Sequence, residues 1–256
     1  MSDLVLKAED IKKYYGNRGN MTKAIDGINL NITKGDFIGI MGASGSGKTT
    51  LLNVLSTIDT VTNGKIVIES KDITKLCSGK LAKFRREQLG FIFQDFNLLD
   101  NLTLGENISL ALAINKVDKN TILQRVQEVA SLLGIENQLN KYPHQVSGGQ
   151  KQRAAAARAI VNSPNIIFAD EPTGALDSKS SQNLLSALRN INKQLQATIL
   201  LVTHDAHAAS YCKKVLFLKD GKIFNELCKG NTTRRQFFDN ILEVVAVLEG
   251  YNDYDV

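Results

Sequence analysis

Residues 42–49 read Gly-Ala-Ser-Gly-Ser-Gly-Lys-Thr, a G-x-x-x-x-G-K-T run between the apolar stretch 37–41 and a helical stretch at 50–58. That order commits the chain to a strand, a tight loop and a helix, and so to an α/β sheet with the loop at a strand's C-terminal edge. The glycines let consecutive backbone N–H groups face one polyphosphate, and the helix adds the positive end of its dipole. Lys48 is then placed to reach the β and γ phosphates, and the Thr49 hydroxyl to sit on Mg²⁺. Gly42, Ala43, Ser44, Gly45, Ser46, Gly47 and Thr50 complete the expected phosphate cradle. A Gly/Ser-rich turn before a helix is the plain alternative, and the joint occurrence of strand, loop, Lys-Thr and helix argues against it.

The chain has 256 residues with 43% hydrophobic content, enough for a real core in one large domain or a domain with a subdomain. No apolar run approaches the ~20 residues needed to cross a bilayer. Residues 1–10 include acidic side chains and no apolar segment, so a secretory signal is not expected and the cytoplasm is. The net charge of +5 is scattered rather than gathered, which gives no concentrated surface for nucleic acid. Cys77, Cys212 and Cys228 form no C-x-x-C pair and are odd in number, as expected of reduced thiols.

Short β-rich runs alternate with amphipathic helices, which reads as one α/β unit. Strands are expected at 4–8, 28–32, 37–41, 65–68, 89–93, 166–169, 198–202 and 215–219. The Asp220-Gly221 pair then turns the chain into a hairpin with 222–226. A helix over 178–195 places Leu184, Leu188, Ile191 and Leu195 on one face. Another over 121–133 does the same with Leu123, Val126, Ala130 and Leu133. The stretch 95–141 has no convincing strand and reads as a helical insertion.

Ile166 to Ala169 lead directly into Asp170 and Glu171, so a buried strand delivers two carboxylates to its C-terminal edge. Asp170 suits the holding of Mg²⁺, and Glu171 the polarising of an attacking water. An acidic helix entry is the alternative reading. His204 follows the apolar run 198–203 at a similar strand end, where a γ-phosphate contact is expected. Gln94 follows 89–93 and by itself would be an ordinary exposed amide.

Val146-Ser147-Gly148-Gly149-Gln150, followed by the helical run 151–161 and the carboxylate strand, makes the sequence resemble the ATP-binding subunits of ABC transporters over nearly its whole length. The resemblance implies a P-loop NTPase of ABC ATPase type. Its RecA-like core would carry an antiparallel β subdomain and a helical subdomain at about 95–160, within a single domain 1–256 that ends in a helix at about 233–249. It also implies roles. Tyr15 would stack on adenine, with Tyr14 as a substitute, and Gln94 would join Mg²⁺ or the attacking water to the transporter contact. Ser147, Gly148, Gly149 and Gln150 would close on the nucleotide of a second subunit, and Asp177 of the Leu176-Asp177 pair would cross the dimer interface. Lys48, Glu171 and His204 would be the catalytic set, and Thr49, Gln94 and Asp170 the metal contacts. Val146 and Gly174-Ala175 depart from the commonest residues of the family and are read as small changes.

The implied assembly is an ATP-dependent homodimer acting on a separate membrane permease, and so peripheral at the cytoplasmic face of the membrane. The apolar residues Phe96, Leu98, Leu99 and Leu102 are expected both to dock the permease and to pack the subdomain. Within the family, the stretches 41–53, 91–99 and 168–180, with the segment 233–248, most resemble the bacitracin-resistance, BceA-type branch, related to macrolide exporters and lipoprotein-release systems, whose ATPase subunits are the alternative reading. That branch implies antimicrobial-peptide resistance and brings in a sensor histidine kinase as a further candidate partner. A soluble ABC ATPase of DNA repair, chromosome organisation or translation is the reading from another class. It is disfavoured by the absence of a coiled-coil insertion, of a second cassette and of a basic cluster.

Overall fold

The structure, a computed structural model, describes residues 4–17 and 20–250. The chain divides into two compact units, Met1–Cys77 with Leu200–Val256, and Ser78–Ile199.

The first unit opens with β1 (Leu4–Tyr15) and β2 (Thr22–Thr33), an antiparallel pair in which Leu6, Ala8 and Ile11 are buried with Ile25, Ile28, Leu30 and Ile32. This one-sided alternation suits a sheet with a single packed face. β3 (Phe37–Met41) is buried at all five positions, and α1 (Lys48–Leu55) covers Leu51, Leu52, Val54 and Leu55. β4 (Asn63–Ile68) and the two-residue β5 (Lys71–Asp72) complete an antiparallel sheet of order β2-β1-β4-β5.

The second unit holds α2 (Ser78–Gln88), β6 (Leu89–Ile92), α3 (Leu104–Ala113), α4 (Lys119–Leu132), α5 (Gly148–Ile160), β7 (Ile166–Asp170) and α6 (Ser178–Leu195). β6 and β7 pair in parallel from Leu89↔Ile166 to Ile92↔Ala169. A β-carbon at Gly90 would lie 2.4 Å from the Ala159 carbonyl oxygen, so α5 presses directly on β6. α3, α4 and α5 pack together, α3 entering through a Thr103/Glu106 capping box and α4 through Asp118.

β8 (Thr198–Val202), fully buried, carries the chain back into the first unit, followed by α7 (Ala206–Ala209), β9 (Lys214–Lys219), β10 (Lys222–Cys228) and α8 (Arg234–Glu249). β9 lies parallel to β3 and antiparallel to β10. The Asp220-Gly221 turn has φ of 49° and 74°, the double left-handed geometry of a tight hairpin. α8 starts at a Thr233/Gln236 capping box, buries Phe237 and Ile241, and packs against α7 with the Arg234 guanidinium 4.5 Å from the Tyr211 ring centroid.

Two expected helix faces end short of the core. Leu195 is 56% exposed and Leu123 60%, while Leu184, Leu188, Ile191, Val126, Ala130 and Leu133 are buried. Leu195 is the last residue of α6, and Leu123 lies in the first half of α4. α1 stops at Leu55 rather than continuing to Ile58, because Thr57 takes a left-handed φ of 65°. α2 and β5 were not expected.

Candidate functional site

The site residues fall in both units, and each half is built within its own unit. In the first, the chain leaves β3 at Gly42, where a β-carbon would come within 2.3 Å of the Leu218 carbonyl oxygen and 2.7 Å of Ser46 Oγ. It enters α1 at Gly47, with φ 102° and space for a β-carbon taken by the Ala24 carbonyl oxygen at 2.4 Å. Only glycine fits either position. Gly47 supplies no side-chain cap to α1 and no acidic residue stands in its first turn, so the helix N-terminus keeps its affinity for an anion. Ser46 Oγ is buried without a protein hydrogen-bond partner, as a hydroxyl awaiting a ligand would be. Lys48 Nζ donates to the carbonyl oxygens of Gly42 and Ala43, each at 2.9 Å, which holds its charge over the loop. The β9–β10 turn braces the loop from behind: Gly221 N donates to Ser46 O at 3.1 Å, and Asp26 N donates to Gly221 O at 2.9 Å. A glycine cradle, a buried spare hydroxyl and a captive ammonium together fit a polyphosphate.

Tyr15 is 42% exposed, and its hydroxyl donates to Asp59 Oδ2 at 2.8 Å. Lys13 Nζ donates to Asp59 Oδ1 and to the Thr60 carbonyl oxygen, each at 2.7 Å, and stands 4.9 Å from the Tyr15 ring centroid. Burial pushes the Asp59 carboxyl upward, but the hydrogen bonds from Lys13, Tyr15 and the Thr60 amide outweigh it and leave Asp59 below the usual range. Tyr14 instead donates to Asp26 Oδ1 at 2.7 Å and is less exposed. His204 is exposed beyond β8 on a turn pinned at both sides. Thr203 N donates to Ile40 O at 3.1 Å, Asp205 N donates to Thr203 Oγ1 at 3.0 Å, and Asp205 Oδ1 accepts from His207 N at 2.8 Å to cap α7.

In the second unit β7 ends at Asp170, and Glu171 follows with φ 44°, a left-handed conformation that a non-glycine residue adopts only when its surroundings enforce it. Gly174 N closes this turn onto Glu171 O at 3.0 Å. Gln94 is brought to the same turn: a β-carbon built on Gly174 would lie 3.0 Å from both Cδ and Nε2 of Gln94. Ser147 caps α5 by accepting from Gln150 N at 3.3 Å, while Gln150 Oε1 accepts from Ser147 N at 2.9 Å. Asp177 caps α6, taking Ser180 N at 2.9 Å and Ser180 Oγ at 2.7 Å. A β-carbon at Gly149 would lie 2.5 Å from Ser180 Oγ, so the two capped helix starts abut. Ser147 and Gly148 are exposed, whereas Gly149 is buried and the Gln150 and Asp177 side chains serve their own helices.

A family model described as ABC transporter matches residues 25–174. The chain is 53% identical over 251 residues to the bacitracin export ATP-binding protein BceA of Halalkalibacterium halodurans, covering 98% of this chain and 99% of the relative. It belongs to the ABC transporter family. The cassette is also 42% identical to the macrolide export ATP-binding/permease protein MacB of Vibrio parahaemolyticus, covering 87% of this chain and 34% of that one. Among solved structures, the dimeric ATP-binding cassette MJ0796 in a post-hydrolysis state with ADP and Pi is 37% identical, with a TM-score of 0.79 over 87% of this chain and 98% of that one. The α/β architecture is that of an ABC ATPase, and the cassette binds and hydrolyses ATP.

Motif reading passed over three side chains of the cassette that hold the site. Asp59 anchors Tyr15 and Lys13. Gln152 Nε2 donates to Phe93 O and Pro172 O, each at 2.8 Å. Arg158, half-buried, donates from Nη1 to Asn97 O and from Nη2 to Phe96 O at 3.0 Å, fixing the segment after Gln94. Gln152 stands between Lys151 and Arg153 and gives no signal in the sequence; Arg158 gives one, as the lone cation of the small, apolar run 154–160, where a polar side chain is retained only if it bonds to something. Phe96, Leu98 and Leu102 are half-buried and Leu99 is 46% exposed, which divides that stretch between packing and surface.

Proposed function

We propose that this cassette works as an ATP-switched homodimer driving a separate membrane permease in resistance to bacitracin-like antimicrobial peptides. The observation that carries the ATPase part is the phosphate loop, in which two glycines without room for a β-carbon frame the unpartnered Ser46 hydroxyl and the Lys48 ammonium. The peptide part is supported by the identity over nearly its full length with a bacitracin export subunit. In this reading residues 42–50 bind the phosphates, Tyr15 stacks on the adenine, and Lys48 stabilises charge on the transferred phosphoryl group. Glu171 orients and polarises the attacking water, and His204 contacts the γ-phosphate. Thr49, Asp170 and Gln94 are the residues that would hold Mg²⁺, which would neutralise charge on the phosphate oxygens. Ser147 and Gly148 at the exposed N-terminus of α5 would close on the nucleotide of the second subunit, with Asp177 crossing the interface. Loss of the γ-phosphate contacts then opens the dimer.

No helix among the described residues is long and apolar enough to cross a membrane. In this reading the cassette acts on a separate permease at the cytoplasmic face, with a sensor histidine kinase as a further member of the complex. The test is to retrieve the Glu171→Gln variant with ATP from membranes of its host. Co-purification of a multi-helix permease is expected. Ribosomes or DNA in its place would move the cassette to the soluble, nucleic-acid class.

A further inference from the structure

We propose that Gln152 is the positioning residue that couples Gln94 to Glu171, holding the two loops so that they are set or released together. This rests on the catalytic reading of Glu171 given above. Gln152 is fully buried in the second turn of α5, four residues beyond Gly148. A side-chain amide has two N–H donors, and here each goes to a different loop. One meets the carbonyl of Phe93, the residue before Gln94, and the other the carbonyl of Pro172, the residue after Glu171, both at 2.8 Å. The loops lie 59 and 20 residues from Gln152 in sequence, so no local geometry requires either bond.

The other end of the same amide shows what it is kept for. Gln152 Oε1 is buried with no hydrogen-bond partner. An orphaned buried carbonyl is costly, and an apolar side chain of the same shape would avoid that cost. Its retention is accounted for by the two N–H bonds. Those bonds act where rigidity is needed. Glu171 sits at φ 44°, and Gly174 N donates to Glu171 O across its turn. Gln94 rests against Gly174 of that same turn. Gln152 therefore fixes the backbone on both sides of one contact, from a helix whose first residues are Gly148 and Gly149. Because α5 is a rigid helix, displacement of its start carries Gln152 with it and shifts both loops at once.

The test compares the parent with Gln152→Met, a near-isosteric side chain with no donor. In nucleotide-free protein, hydrogen exchange should quicken at least about fivefold in segments 93–97 and 171–176 together, with 42–49 unchanged. In the folded variant, turnover should fall about tenfold while ATP affinity stays within about twofold, and Gln152→Met should add nothing to the loss caused by Glu171→Gln. If the methionine variant does not fold, Gln152→His keeps one N–H and should loosen the same two segments to a smaller extent. Exchange that is unchanged in either segment would overturn the proposal, as would a Gln152 effect that multiplies with that of Glu171→Gln. Full turnover by Glu171→Gln alone would instead remove the catalytic reading beneath it, and the exchange result would stand or fall by itself.

Discussion

Gly174, which departs from the commonest residue of the family, packs against Gln94, so a side chain there would press on that amide. Its backbone does not lie in the left-handed region, so an L side chain could be accommodated there; the difficulty is Gln94, two of whose side-chain atoms would stand 3.0 Å from a new β-carbon. The consequence belongs to catalysis rather than folding. Gly174→Ala should displace Gln94 and lower turnover about tenfold, with stability changed by no more than about 0.5 kcal/mol, since Gly174 is exposed. Steady-state kinetics alongside thermal melts would separate the two; unchanged turnover in the folded variant would show that Gln94 yields without effect. Lys48, Asp170 and Glu171 stand out in the sequence as candidates because the chemistry proposed for them follows from type and order in a short run. Gln152 and Gly174 do not, because the roles proposed for them come from residues distant in sequence.

The elements show a matching division. β3, β8 and α6 agree with the sequence reading to the residue, since each is either wholly apolar or strongly amphipathic between clear stops. α2 escaped it because one buried residue, Phe84, anchors an otherwise polar helix, so no apolar stripe exists to be seen. Helix entry rests on carboxylates as well as hydroxyls. Hydrogen bonds from the Ser180 and Thr121 side chains hold Asp177 and Asp118 below the ordinary carboxylate range, and the Thr103 amide does the same for Glu106. A carboxyl depressed in the folded state contributes its stability fully above the unfolded value of about 4, and loses it as the pH falls through the lower folded value. The melting temperature should therefore be flat above about pH 5 and fall below about pH 4. Asp118→Asn combined with Asp177→Asn keeps both caps but removes their titration, so its acid limb should be shallower. An unchanged limb in melts between those values would place the acid sensitivity elsewhere.

At the scale of the whole molecule, the order of strands and helices was legible, but the way the chain is shared between units was not. The chain leaves the first unit after Cys77 and re-enters at Leu200, in the middle of β8, and no change of composition marks either point. The candidate site residues are divided in the same way, with Lys48 and His204 in one unit and Gln94, Asp170, Glu171 and Ser147 in the other. In the proposed function, unhydrolysed ATP closes two copies of the cassette into a dimer. That is tested by the molar mass of purified Glu171→Gln by light scattering with Mg-ATP, alongside its turnover. A stable dimer with ATP, a monomer with ADP, and turnover reduced at least about a hundredfold are expected. A variant that stays monomeric with ATP, or that hydrolyses it at the parent rate, would overturn that reading.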